Sequence, residues 1–289
     1  MQALAELIED TCSLDVISTV ARNLYFNYHA EMSDDHVWAL LNATFPQDLF
    51  SAVRPFKPQI LGHVIVNEIV TRYYPGEKII KYHLIHGNLA NQDEVTALEI
   101  NTGTSRLDVG QINGQSHAYE IKTEFDSTSK LDKQMCDYGK CFEYLNIVTH
   151  EKHLEKVLEL VPPHCGIIIY HFDKGACSFF IIRDAQPNPD LNYQNQVQNL
   201  TSSDLAFVLK AAGFKEVPSR RQNREQAVLQ KLSPSDINEL FKQALKKKFE
   251  QRWQFVKDRF QDILPIDVQF FFASLADPRW VYYKNSSIV

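Results

Sequence analysis

The chain has 289 residues, 44% of them hydrophobic and 23% charged, with a net charge of −6. That is the make-up of an ordinary globular protein, long enough for one large domain or two modest ones. It excludes a transmembrane class, because no apolar run approaches the roughly 18 residues a membrane-spanning helix needs, and its acidic balance does not announce a nucleic-acid binder, although a local basic face can hide within it.

The N-terminus, Met1-Gln2-Ala3-Leu4-Ala5-Glu6, lacks the basic n-region of a secretory signal. Cys12, Cys136, Cys141, Cys165 and Cys177 form an odd set without a Cys-x-x-Cys pair. Reduced thiols in a cytoplasm fit this better than a disulfide framework or a zinc site. Residues 1–57 read as helical. Leu4, Leu7 and Ile8, then Val16, Ile17, Val20 and Leu24, recur at helical spacing, and Ser33-Asp34-Asp35 forms an N-cap ahead of Val37, Leu40 and Leu41. Over residues 1–60, eight acids (Glu6, Glu9, Asp10, Asp15, Glu31, Asp34, Asp35, Asp48) face three bases (Arg22, Arg54, Lys57). An acidic helical face is a poor DNA surface, so this segment reads as a cap on the core or as the surface for a protein partner. Residues 59–74 show a buried-helix pattern (Ile60, Leu61, Val64, Ile65, Ile69) ended by Pro75-Gly76. Their single acid, Glu68, has Arg72 four residues on, the spacing of a helical ion pair. Residues 78–86 and 95–100 read as strands, with His83 and His86 structural and Glu99 at the end of the second strand.

The stretch from Glu99 to Tyr138 organises the chain. Leu107 and Val109 flank Asp108, and Tyr119 and Ile121 flank Glu120. This alternation puts Asp108 on one strand face with Arg106, and Glu120 on one face with Lys122. Between them, Asn113-Gly114 signals a two-residue hairpin turn. Folding back about it sets Asp108 opposite Glu120. Two carboxylates with a backbone carbonyl make a hard oxygen site suited to Mg²⁺ or Mn²⁺, and a nearby lysine can steady charge on a phosphate under attack. A helix is expected from a cap at Asp126 or Ser127 through to Tyr144. Leu131, Met135, Tyr138 and Phe142 share one stripe of it, Gln134 lies a turn before Tyr138, and Lys130 and Lys133 lie on the other side.

Residues 145–148 read as a strand and residues 151–160 as a helix. His150 and His153 form a pair at the start of that helix. Gly166 to Tyr170 reads as a buried strand, paired with residues 178–182 after a turn at Asp173-Lys174-Gly175. The sum is a mixed sheet with helices on both faces, an early antiparallel hairpin and a later strand joined through a helical crossover. Residues 184–200 read as a linker, with Pro187 and Pro189 among Asn and Gln. Beyond it the chain is helical and basic. Over residues 201–260, thirteen bases, among them Arg220, Arg221, Arg224, Lys246, Lys247 and Lys248, face seven acids. That surplus can grip a phosphate backbone, or it can form a solvated basic face. The aromatic tail (Phe270, Phe271, Phe272, Trp280, Tyr282, Tyr283) is expected to pack back onto the body.

Asp108, then Glu120-Ile121-Lys122, then Gln134-x-x-x-Tyr138, with Glu99, Gly103, Arg106, Asp126 and Lys130-Leu131 around them, resembles the PD-(D/E)XK nuclease superfamily. The Gln-x-x-x-Tyr part is similar to the helix motif of its RecB-type branch. Leu107 stands where the superfamily's name has proline. The resemblance implies an α/β, restriction-endonuclease-like mixed-sheet core over residues 58–184, with an acidic helical segment at 1–57 and a basic helical region at 185–289. It implies a Mg²⁺- or Mn²⁺-dependent nuclease of bacterial or phage origin. Asp108, Glu120 and the Ile121 carbonyl hold the ion, Glu99 or Glu68 supplies an extra acid, Lys122 assists the attacking water, and Gln134 and Tyr138 support the site. The implied substrate is DNA, or else RNA, contacted by Lys130 and by the basic residues at 220–224 and 246–248. The alternative is a non-catalytic nucleic-acid-binding or adaptor protein of a defence or DNA-processing system.

Overall fold

A computed structural model describes residues 2–91, 93–173 and 175–284. The chain begins with six helices: α1 (Gln2–Thr11), α2 (Leu14–Asn27), α3 (Asp34–Thr44), α4 (Gln47–Val53), α5 (Gly62–Tyr73) and α6 (Glu77–His86). The sheet follows, with β1 (Val95–Thr102), β2 (Ser105–Ile112), β3 (Ser116–Lys122), α7 (Leu131–Gly139), β4 (Tyr144–His150), α8 (Leu154–Leu160), β5 (Gly166–Asp173) and β6 (Ala176–Arg183). Helices close the chain: α9 (Tyr193–Asn199), α10 (Ser202–Ala211), α11 (Arg221–Lys231), α12 (Pro234–Arg259), α13 (Val268–Ser274) and α14 (Pro278–Tyr282). The fold is a mixed α/β architecture with helices flanking a six-stranded sheet in the order β1-β2-β3-β4-β5-β6.

Two compact units divide the chain. The first contains residues 1–86, 172–178 and 255–289, and the second residues 87–171 and 179–254. The boundary therefore falls after α6, where the sequence suggested one at residue 57. The reason lies in packing. Ile65, Val66, Ile69 and Val70 of α5 and Ile79 of α6 are fully buried in the same core as Leu24 of α2 and Leu41 of α3. That core also takes Ile266 from the far end of the chain, so the tail belongs with the N-terminal helices. Within the tail Phe271, Phe272 and Tyr282 are buried, but Trp280 and Tyr283 stay exposed, so it packs back only in part.

Local signals account for several helices. The Ser33 side chain accepts from His36 N at the start of α3, and Thr201 with Asp204 forms a capping box at the start of α10. Other expectations are corrected. Residues 78–86 form helix α6 rather than a strand. Ile79, Ile80 and Ile85 bury one side of it, and Glu77 sits in its first turn, where a carboxylate favours the helix dipole. The helix after Lys122 starts at Leu131 and ends at Gly139, so it is shorter than the expected run to Tyr144. Asp126 instead closes a turn on Thr123. Residues 184–200 are no loose linker. Asn188 is buried and donates to Gly139 O and Phe142 O, which caps the C-terminal end of α7, and Asn192 caps α9. At the predicted β5–β6 turn, Gly175 has φ +94, and Lys174 lies outside the described residues.

Strands β1 and β2 pair antiparallel, as do β2 and β3, whereas β3–β4 and β4–β5 are parallel. The antiparallel hairpin and the helical crossover through α7 are both present. The hairpin loop holds three residues rather than two, since Ile112 pairs with Ser116. Gly114, at φ +99, supplies the left-handed position of such a loop. All five cysteines are free, and among the described residues no helix is long and apolar enough to cross a membrane.

Candidate active site

The second unit brings the sequence-derived residues together at the junction between antiparallel and parallel strands. The β2–β3 register runs from Ile112↔Ser116 to Val109↔Tyr119, so the next position sets Asp108 across from Glu120. Asp108 is buried, and its Oδ2 accepts from Ile121 N at 2.7 Å. The Ile121 amide N–H therefore reaches Asp108. Glu120 is 2% exposed. Its Oε1 accepts from Lys122 Nζ at 2.6 Å and from Gln134 Nε2, and its Oε2 lies 2.8 Å from the Tyr138 hydroxyl. A buried carboxylate is costly unless it is paired and hydrogen-bonded, and these three donors meet that requirement.

Each partner is placed by its element. Lys122 shares the Glu120 face because it lies two residues on along β3. Its backbone carbonyl accepts from Thr149 Oγ1 at 3.1 Å, across the parallel pair Lys122↔Thr149. Gln134 and Tyr138 sit four residues apart on α7, one above the other. Leu131, Met135 and Tyr138 bury the face of α7 that packs on the sheet. The Tyr138 hydroxyl is also 2.8 Å from Arg106 O, so it bridges β2 and β3. Burial, reinforced by the Glu120 charge, pushes the Tyr138 phenol far above its ordinary range, so it stays a proton donor. Gln134 Oε1 is buried and has no hydrogen-bond partner among the described residues.

Glu99 adds a second feature. Its φ of 58 is left-handed, rare for a residue with a side chain. The β1–β2 ladder pairs Leu98↔Val109 and Ile100↔Leu107 and passes over Glu99 between them. Such a conformation costs on the order of 1–3 kcal/mol and tends to persist where the surroundings demand it. The kink brings a Glu99 carboxylate oxygen within 4.8 Å of one from Asp108. Glu99 also forms an ion pair with Arg106, Nε to Oε2 at 2.5 Å. Glu68 lies in the first unit, where Arg72 one turn on binds its carboxylate.

Sequence reasoning missed the clamp that seats α7. Asp137 accepts from Thr104 Oγ1 (2.9 Å), Ser105 Oγ (2.7 Å) and Lys133 Nζ (3.1 Å), tying the β1–β2 turn to the helix. These donors outweigh burial and hold the Asp137 carboxyl below its usual range. The two lysines beside it, Lys133 and Lys140, were the available signal.

The basic residues of the C-terminal region are largely spent inside the fold. Arg221 pairs with Glu225 (2.6 Å) and donates to Gln198 O, and Arg224 donates to Pro218 O (2.6 Å) and Ser202 O (2.7 Å). Lys246 donates to Asp93 O, Lys247 lies over the Phe207 ring at 4.3 Å, and Lys248 is 3.9 Å from Asp204. Arg220 and Lys130 are exposed. His150 accepts from Lys152 N at the start of its helical turn, a structural role.

Fold and cluster together define a mixed α/β protein with a buried carboxylate–lysine–glutamine–tyrosine site on its sheet. The chain belongs to the family described as bacteriophage P4 protein cII, which matches residues 76–271, a span that holds the whole cluster and leaves out Glu68. Protein cII of Enterobacteria phage P4 is 24% identical over 171 residues, which are 59% of this chain and 65% of that protein. The chain thus spans a little under two thirds of that relative's length. A solved protein of unknown function from Silicibacter pomeroyi aligns at 16% identity with a TM-score of 0.31, over 50% of this chain and 96% of the other.

Proposed function

We propose that this protein is a divalent-metal-dependent nuclease that hydrolyses phosphodiester bonds in DNA, on a restriction-endonuclease-like core of PD-(D/E)XK type. The observation that carries the reading is the convergence on Glu120 of Lys122, Gln134 and Tyr138, beside a buried Asp108 on the neighbouring strand.

The residues fit a hard cation. Asp108, Glu120, Glu99 and the Ile121 carbonyl are all oxygen donors of the kind Mg²⁺ and Mn²⁺ take. The orphaned Gln134 Oε1 offers a further acceptor at the same place, and buried acceptors without a partner call for a ligand or water. Bound there, the ion would supply an activated water and neutralise phosphate charge. The chain's own residues do the rest. Tyr138 and Gln134 hold the Glu120 carboxylate in one orientation. Lys122, anchored by Glu120 and by Thr149 behind its carbonyl, presents a fixed positive charge for the charge that develops on the phosphate.

The test is cleavage of plasmid and oligonucleotide DNA with Mg²⁺, with Mn²⁺ and with EDTA. The reading expects metal-dependent cleavage that Asp108→Ala and Glu120→Gln abolish. Cleavage absent under every metal condition, with DNA still bound, favours the non-catalytic binding module. Loss of both activity and binding favours an adaptor acting through the acidic N-terminal helices.

A further inference from the structure

Arg106 stands on β2 two residues before Asp108, on the same strand face and roughly 7 Å along it. Its backbone is held on both sides. The β1–β2 ladder pairs it with Asn101, and its carbonyl lies 2.8 Å from the Tyr138 hydroxyl. Its side chain is held at one point. Arg106 Nε lies 2.5 Å from Glu99 Oε2, and a Glu99 carboxylate oxygen comes within 4.8 Å of one from Asp108. Glu99 therefore joins the guanidinium to the acidic site, which places this cation at the site rather than away along the strand. Arg106, Glu99, Asp108 and Tyr138 all belong to the second unit.

What remains of the guanidinium is a donor edge. Contact through Nε occupies one side of the fork, and the end-on edge, Nη1 with Nη2, meets no acceptor among the described residues. The side chain is 66% exposed, against 11% for Lys122. An ion pair this exposed adds little to folding, so stability does not account for a tethered arginine at this place. Arg221 and Arg224 differ, because they turn their guanidinium groups onto carbonyl oxygens of their own unit. Two parallel N–H donors on a planar cation match two oxygens of one phosphate, held bidentately. A polyanion approaching Asp108 and Glu120 is repelled by both. An exposed cation beside them offsets that repulsion before the strand reaches the buried Lys122.

We propose that Arg106 grips a backbone phosphate of the substrate strand through Nη1 and Nη2, beside the bond the site attacks. This rests on the nucleic-acid reading of the site given above, and adds to it a contact that fixes the register of the strand without reading its bases.

The experiment measures binding and cleavage separately on the full-length chain. In EDTA, fluorescence anisotropy follows a labelled DNA duplex and its single strand across a salt series. On whichever form the native protein binds tighter, Arg106→Gln should weaken binding roughly 10- to 100-fold, the range for loss of a charged hydrogen-bonded contact. It should also lower the slope of log K against log salt, by about 0.9 on duplex or about 0.7 on single strand. Arg106→Lys keeps the charge and loses the fork, so it should keep the slope and recover only part of the affinity. Urea denaturation checks that both variants fold. Arg106→Lys decides the matter even where Arg106→Gln does not fold, since full native affinity in that variant refutes the fork. A slope unchanged by Arg106→Gln, full affinity with Arg106→Lys, or no DNA binding by the native protein each overturns the proposal. Cleavage in Mg²⁺ and in Mn²⁺ is scored in parallel. A slope lowered by Arg106→Gln without cleavage under either metal removes the nuclease reading and leaves the phosphate contact standing; cleavage with a slope indifferent to Arg106 does the reverse.

Discussion

Replacing Asp267 by Asn should uncover a pH dependence of stability that the native first unit masks. Asp267 Oδ2 accepts from the Tyr28 hydroxyl at 2.9 Å and from the Tyr282 hydroxyl at 2.8 Å. The Tyr28 hydroxyl also lies 2.7 Å from His63 Nδ1, and the Lys78 ammonium adds its field at Asp267. Burial, only partly offset by the two tyrosines and Lys78, raises the Asp267 carboxyl to about 6. Burial lowers the His63 imidazole to about 4. The two groups act in opposite senses. Asp267, raised from its unfolded 3.8, contributes stability fully present below pH 3.8 and lost as pH rises through about 6. His63, depressed from its unfolded 6.5, contributes stability present above pH 6.5 and lost as pH falls through about 4. At 1.36 kcal/mol per unit each is worth on the order of 3 kcal/mol. Between pH 4 and 6.5 folding releases a proton at His63 and takes one up at Asp267, so the native protein should be nearly flat there. Asp267→Asn leaves only the His63 half, so its stability should fall by about 3 kcal/mol from pH 6.5 to pH 4. His63→Gln leaves the other half, and its stability should fall by a similar amount as pH rises from 4 to 6. Urea denaturation across pH 4–7, read as variant minus native, measures both. Variant-minus-native differences that stay constant with pH, or that change in the same direction for both substitutions, would refute the reasoning.

Three further outcomes concern the second unit. Asp108→Ala should lower both metal affinity and cleavage, whereas Lys122→Ala should leave Mg²⁺ binding near normal or tighter and slow turnover roughly 10²- to 10³-fold; calorimetric titration beside single-turnover cleavage checks this, and metal binding lost equally in both variants contradicts the assigned role. Tyr138→Phe removes a fully buried donor from between Glu120 and Arg106 O and should cost about 1–3 kcal/mol of stability; an unchanged denaturation midpoint speaks against that bridge. Arg224→Ala should destabilise the protein, because its guanidinium binds Pro218 O and Ser202 O, and should leave the salt dependence of DNA binding unaltered; a slope of log K against log salt smaller by about 0.9 would instead place Arg224 on a phosphate.

How much of this was legible depends on how far each feature reaches along the chain. The alternation around Asp108 and Glu120 and the cap at Ser33 each depend on neighbours a few residues away, so periodicity and side-chain chemistry suffice to find them. The segment 78–86 depends on more. Its apolar pairs, Ile79-Ile80 and Leu84-Ile85, suit a strand face as well as a helix face, and burial against the first unit's core decided for the helix. The hairpin turn was found, but its length was not, because Asn-Gly also serves a three-residue loop when the strand register requires it.

The sequence by itself determined which residue types stand near one another along β2, β3 and α7, since strand and helix periods are local. Only the tertiary structure decided what each of those residues touches. Lys122 on Glu120 is a choice among rotamers on one strand face, but Gln134 and Tyr138 reach Glu120 because α7 packs on the sheet and Asp137 clamps it to the β1–β2 turn. The same holds for the basic region. A run of cations reads as a phosphate grip in one dimension, yet Arg221, Arg224 and Lys246 find carbonyl oxygens and a carboxylate within their own unit. A charge count carries no distances, and an ion's partner is set by what the fold brings within about 3 Å of it.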